Sequence, residues 1–191
     1  VGVDIGCGME TVRIREGRLE LQKLDKLIQE RIPSGFAIRD SAHPYLSQID
    51  LTELCCARHV DLLRAERSIG TLGGGNHFIE VDRDDGGNLY LVVHSGSRHL
   101  GVEVASHYQQ AGYKALNRAD DASVEALVAR MKAEGREKEI PKEIKRLKNV
   151  RQTRIPKALA YVSGDLFAQY IHDMRIVQRF AMLNRQAMVD V

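Results

Sequence analysis

Residues 71–98 read TLGGGNHFIEVDRDDGGNLYLVVHSGSR, and the fold turns on how this stretch is divided. Its ends, TLGGGNHFIEV and LYLVVHSGSR, are rich in β-branched and aromatic residues, whereas the DRDDGGN between them is, Arg83 apart, made of turn formers. That arrangement predicts two strands joined as a hairpin, because Gly, Asn and Asp tolerate the backbone angles of a tight reversal. Each strand also carries a histidine beside small residues, His77 after GGGN and His94 before SGSR. Glycine lets a backbone come close to a ligand, and successive N–H groups in such turns form anion-binding nests.

The same mixture recurs at the start of the chain, where VGVDIGCGM places Asp4 and Cys7 around a glycine. VGVDIG reads as a short strand entering a glycine turn. Taken singly, Cys7 fits a small buried hydrophobe as well as a ligand, and either histidine fits a satisfied side chain at a strand end. Taken together, a carboxylate, a thiolate and two imidazoles suit a divalent transition metal, and a thiolate can bridge two ions. Ser95, Ser97 and Arg98 add phosphate-binding chemistry directly after His94, since arginine offers a two-pronged fork for phosphate oxygens. Asn76 could hold a phosphate, and Glu80 could accept from a base or ribose. The glycines match neither the Walker loop nor the dinucleotide fingerprint.

Helical periodicity governs most of the remainder. LELQKLDKLIQERI spaces Leu24, Leu27 and Ile28 for a helix that Pro33-Ser34-Gly35 ends. A second helix is predicted over roughly 51–68, with Asp50 and Glu53 as its capping pair and Gly70 as its stop. Others are predicted over about 99–117 and about 121–148, the latter with a possible break at Pro141, and RIPKALAYVSG forms an irregular connector. A last amphipathic helix begins near Asp165 and spaces Tyr170, Met174, Val177 and Ala181 along one face. The fold class expected is α+β, mixed strands carrying the site with helices packed outside, as a single domain over 1–191 with a basic helical segment at about 121–157.

Composition narrows the setting. The 191 residues are 43% hydrophobic and 28% charged, ordinary for a globular chain, and no apolar run is long enough to span a membrane. Three cysteines, two of them adjacent, argue against a disulfide framework and for a reducing, cytoplasmic setting. The overall charge of +2 conceals a block at 130–157 that carries eleven Lys/Arg against four Glu, leaving −5 for the rest. Such a block either attracts a polyanion or is simply a solvated helix face. His43, His59, His99, His107, His172 and the pair Cys55-Cys56 are given no role.

VGVDIGCGM, GTLGGGNHFIEV and HSGSRHLG in this order, followed by DMRIVQRFAMLNRQAM, resemble the RtcB family of RNA-splicing ligases. The chain resembles the amino-terminal to middle part of such a protein and begins inside the site region. The resemblance implies an RNA ligase that uses GTP and two Mn²⁺ ions. It would join RNA ends bearing a 2′,3′-cyclic phosphate or 3′-phosphate to 5′-hydroxyl ends, through a guanylylated histidine that is absent from this chain, in tRNA splicing or RNA repair. It further implies metal ligation by Asp4, Cys7, His77 and His94, with Cys7 bridging. Asn76, Phe78 and Glu80 would contact GTP, and Arg98 the RNA phosphate, with Asn76 and Arg98 serving the chemistry. The resemblance also places a metal-binding motif upstream, and a further histidine ligand and the nucleophilic histidine downstream, so the chain alone is expected to be inactive. Two other readings of the residues stand beside it: a metal-dependent phosphohydrolase, and a non-catalytic, metal-stabilised RNA-binding module.

Overall fold

The predicted hairpin is present in the computed structural model, which describes residues 5–15, 19–117, 121–149 and 153–191. Strands β2 (Phe78–Arg83) and β3 (Leu89–Ser95) pair antiparallel, with Phe78 opposite His94 and Arg83 opposite Leu89. Asp84 holds the reversal, because its carboxylate accepts from Asn88 N at 2.8 Å and from Asn88 Nδ2 at 2.8 Å, while Gly87 supplies a φ of +81°.

A third strand, β1 (Gly8–Ile14), pairs antiparallel with the other side of β3, from Gly8 opposite Ser95 to Ile14 opposite Leu89. The sheet order is therefore β1-β3-β2. β3 is central and its Val92 and Val93 are buried, whereas β1 and β2 alternate between partly buried and exposed positions as edge strands with one wet face do. Ile5 and Gly6 form the expected glycine turn, Gly6 at φ +80°, and β1, which the sequence reading did not anticipate, follows it over Gly8–Ile14. Residues 1–4 of the expected strand lie outside the described residues.

Helices α1 (Leu21–Arg31), α2 (Leu62–Glu66), α3 (Arg98–Leu116), α4 (Asp121–Ala133), α5 (Ile140–Asn149) and α6 (Gly164–Val189) complete the fold, which is α+β. The long helix expected over 51–68 is instead three short pieces, two 3-10 turns and α2. Buried Asp173 supplies the reason: its carboxylate accepts from Cys55 N at 2.7 Å and Cys56 N at 3.1 Å. A continuous helix would give those N–H groups to carbonyls four residues back. The break between α4 and α5 falls at Gly135, φ +70°, not at Pro141, which sits in the first turn of α5 where a missing N–H costs nothing.

Two compact units emerge, residues 2–107 with 168–191, and residues 108–167, the boundaries falling inside α3 and α6. In the first, Ile32, Val93 and Met188 are buried together against Leu72, Ile79 and Leu91. From α6, Val177, Phe180, Ala181, Asn184 and Met188 line the buried face. The expected stripe is thus right at Val177 and Ala181 but displaced, since Tyr170 and Met174 are only partly buried. In the second unit Gly112 packs closely on the Tyr161 carbonyl, where a Cβ would approach to 2.4 Å, and Gln109 donates to Ala158 O at 3.3 Å.

Candidate metal centre

The sheet register explains why residues far apart in sequence meet. β1 and β2 both start where β3 ends, so the residues just before Gly8, just before Phe78 and at the end of β3 share one end of the sheet. Those residues are Cys7, His77 and His94. Cys7 Sγ lies 3.6 Å from His94 Nε2 and 4.0 Å from His77 Nε2, and the two imidazole rings are edge to face with centroids 5.7 Å apart. The sulfur is the atom common to both close approaches.

The donor set and spacing fit a metal ion. With metal–sulfur and metal–nitrogen bonds of about 2.3 and 2.1 Å at a tetrahedral angle, sulfur and nitrogen ligands stand about 3.6 Å apart. His77 is oriented for it as well. Its Nδ1 is 2.9 Å from the Leu72 carbonyl, which can only accept, so Nδ1 carries the proton and Nε2 keeps its lone pair toward the thiol. His94 Nδ1 is buried without a hydrogen-bond partner among the described residues, while its Nε2 also lies 3.5 Å from Asn76 Nδ2. Asp4, the fourth expected ligand, lies outside the described residues.

Alternation along β3 separates the site from the core. His94 shares the outer face with its cross-strand partners Met9 and Phe78, both substantially exposed, whereas Val93 and Ser95 turn into the protein. Phe78 stacks on His94, centroids 5.2 Å apart and planes 28° from parallel. Glu80, two residues along β2, is exposed on that same face. Asn76, Phe78 and Glu80 therefore form an open strip beside the thiol and imidazoles.

Arg98 is more committed than its sequence context suggests. It is the one described non-glycine residue with positive φ, +57°, and its guanidinium donates to Thr71 Oγ1 at 3.0 Å and Gly35 O at 2.8 Å. Gly73 lies between Arg98 and His77: a Cβ there would come within 1.6 Å of Arg98 Nη1 and 2.8 Å of His77 Nδ1. Beyond Arg98 opens a cavity of about 350 Å³ lined by Arg64, His99, Ser68, Gly74 and the exposed Phe36. Burial holds the Arg98 guanidinium below its ordinary pKa, and the positive charge of Arg64 pushes the same way. The two cations face this cavity without a carboxylate within ion-pair distance among the described residues.

A second group of donors was not foreseen. Cys55, His172 and Asp173 bring three potential ligand atoms within 4.8 Å of one another, close enough to share one ion. Asp173 also accepts the two backbone N–H groups described above, and His172 Nε2 is 3.0 Å from the Glu53 carbonyl. Burial raises the Cys55 thiol pKa, with the Asp173 carboxylate adding to it. The available signal was a carboxylate four residues before Val177, on the apolar stripe of α6.

No described helix is long and apolar enough to cross a membrane. The profile of the family described as tRNA-splicing ligase RtcB matches residues 57–191. An RNA-splicing ligase RtcB1 of Escherichia coli is 24% identical over 221 aligned positions, covering 100% of this chain and 44% of that protein. A tRNA-splicing ligase RtcB of Thermococcus kodakarensis is 26% identical, covering 60% of this chain and 34% of that protein. The chain thus spans less than half the length of the curated relatives it matches.

Proposed function

The chain belongs to the RtcB family, and from that premise we propose that it is part of a GTP- and Mn²⁺-dependent RNA ligase. In this reading it carries one wall of a cytoplasmic active site that joins 3′-phosphate or 2′,3′-cyclic phosphate RNA ends to 5′-hydroxyl ends, in tRNA splicing or RNA repair. The observation that carries the reading is the meeting of Cys7, His77 and His94 at one end of the sheet.

Cys7, His77 and His94, with Asp4, would hold two Mn²⁺ ions, Cys7 bridging. Ions bound there would polarise phosphate oxygens and neutralise charge that builds on them. Asn76, 3.5 Å from His94 through its amide, would keep a phosphate of GTP in register beside the ligands. Phe78 offers an exposed aromatic face and Glu80 a carboxylate for the nucleoside. Arg98 and Arg64, facing a cavity with no carboxylate in ion-pair distance of them among the described residues, suit the phosphates of an incoming RNA strand.

In the proposed sequence a histidine outside these 191 residues attacks the α-phosphorus of GTP and releases pyrophosphate. The GMP passes to the RNA 3′-phosphate, and the 5′-hydroxyl then attacks that phosphorus and expels GMP. On α5 the lysines Lys142, Lys145 and Lys148 are exposed and make no ion pair among the described residues, a surface suited to sequence-independent attraction of RNA backbone.

The test is incubation of the full-length protein with α-labelled GTP and Mn²⁺, followed by a denaturing gel. A covalent guanylate lost in Cys7→Ala supports the ligase. Phosphate release without an adduct supports a phosphohydrolase instead, and RNA binding with neither reaction supports a metal-stabilised binding module.

A further inference from the structure

The centre's neighbourhood contains one buried side chain that touches several of its supports at once. Asn184, on α6, is fully buried and uses all of its hydrogen-bonding capacity. Its Oδ1 accepts from Gly70 N at 2.8 Å and Thr71 N at 3.0 Å. Its Nδ2 donates to Gly96 O at 3.1 Å and Ser95 Oγ at 3.2 Å. Only one orientation of the amide satisfies these partners, because two are donors and one is a carbonyl.

The chain of bonds continues to a proposed ligand. With its hydroxyl oxygen accepting from Asn184, Ser95 donates its proton to Leu72 O at 2.8 Å. Leu72 O is the same carbonyl that accepts from His77 Nδ1 at 2.9 Å. We infer that Asn184 is a positioning residue for His77: through Ser95 and the 70–72 loop it fixes the Leu72 carbonyl, and that carbonyl fixes the ring orientation and the Nδ1–H tautomer. The inference rests on the proposed role of His77 as a metal ligand for its functional meaning, but the tautomer itself does not require a metal.

The alternation of β3 makes the relay possible. His94 points to the site face, and the next residue, Ser95, points to the core face where α6 lies. The neighbouring Arg185 adds a second clamp from the same helix, since its Nη1 donates to Gly6 O at 2.8 Å and Ser95 O at 3.0 Å and so ties the Cys7 turn to the end of β3. One helix turn therefore sets the positions of the thiol-bearing turn, the end of β3 and the loop that orients His77.

The experiment uses the full-length protein labelled with ¹⁵N-histidine. The tautomer of His77 is read by long-range ¹H–¹⁵N correlation without metal, and Mn²⁺ affinity is measured separately. The wild-type ring should be in the Nδ1–H form. Ser95→Ala and Asn184→Ala should move it toward a mixture and weaken Mn²⁺ binding by about ten- to a hundredfold. The double variant should be no worse than the weaker binder of the two, because both break one relay. Ser95→Thr, which keeps the hydroxyl, should restore both readouts. A folded Ser95→Ala protein with the wild-type tautomer and affinity overturns the proposal, as do losses that simply add. If Asn184→Ala does not fold, Ser95→Ala decides alone. Unchanged Mn²⁺ binding in His77→Ala would refute the ligand reading, whereas the metal-free tautomer would still judge the relay.

Discussion

Gly73→Ala tests the packing of the centre most directly, because Gly75→Ala supplies a matched control two residues away. Both glycines have positive φ, +90° and +76°, so each substitution incurs a left-handed cost of about 1–2 kcal/mol. The space around them differs. A Cβ at Gly75 meets nothing within 4 Å, whereas one at Gly73 would sit 1.6 Å from Arg98 Nη1 and 2.6 Å from Arg98 Cζ. The guanidinium has to leave, giving up its bonds to Thr71 Oγ1 and Gly35 O. Hydrogen bonds from a charged donor contribute about 1.5–3 kcal/mol each, so with partial replacement by water the further loss should be about 3 kcal/mol. The same Cβ would press on His77 Nδ1 at 2.8 Å, so metal affinity should fall as well. Urea unfolding gives the stability difference between the two variants, and Mn²⁺ titration gives the second effect. Equal stability of the two proteins with unchanged Mn²⁺ affinity would refute the placement of Arg98 and His77 on either side of Gly73.

Asp173→Ala should destabilise by about 2–5 kcal/mol in a urea titration, since the N–H groups of Cys55 and Cys56 lose their acceptor. Asp173→Asn should speed alkylation of the exposed Cys55 near pH 8, because burial and then the Asp173 carboxylate hold that thiol above its ordinary pKa and removing the negative charge raises the thiolate fraction. Replacing Lys142, Lys145 and Lys148 with Gln should weaken RNA binding at low salt and make its log–log salt dependence shallower by about 0.7 for each RNA phosphate that these lysines neutralise.

What could be read from sequence followed the range of the forces involved. The β2–β3 hairpin was legible because its signals are local: β-branched and aromatic residues on either side of a DRDDGGN turn that Asp84 closes on itself. The partners Cys7, His77 and His94 stood out through the glycines beside them, although only the register of a three-stranded sheet explains their meeting. The helix expected over 51–68 failed because a residue more than a hundred positions away, Asp173, takes the N–H groups that helix needed. Asn184 was equally hidden, being one polar residue in an amphipathic helix whose partners lie on distant segments. Long-range capture of backbone polar groups by a buried side chain leaves no periodic trace in sequence.

The two donor groups can be told apart by what their ligand atoms already do. At Cys55, His172 and Asp173, both carboxylate oxygens take backbone N–H bonds and His172 Nε2 meets the Glu53 carbonyl, so an ion there must compete with bonds that shape the 51–59 turns. At Cys7, His77 and His94 the supporting carbonyl binds Nδ1 of His77 and leaves Nε2 directed at the thiol, an arrangement that assists a metal. The Cys7 group should therefore bind first and more tightly. Co²⁺ titration reads this through the thiolate-to-cobalt charge-transfer band. Cys7→Ser should abolish the band at one equivalent, and Cys55→Ser should leave it intact. The reverse pattern would show that the α6 carboxylate group, not the end of the sheet, is the stronger site.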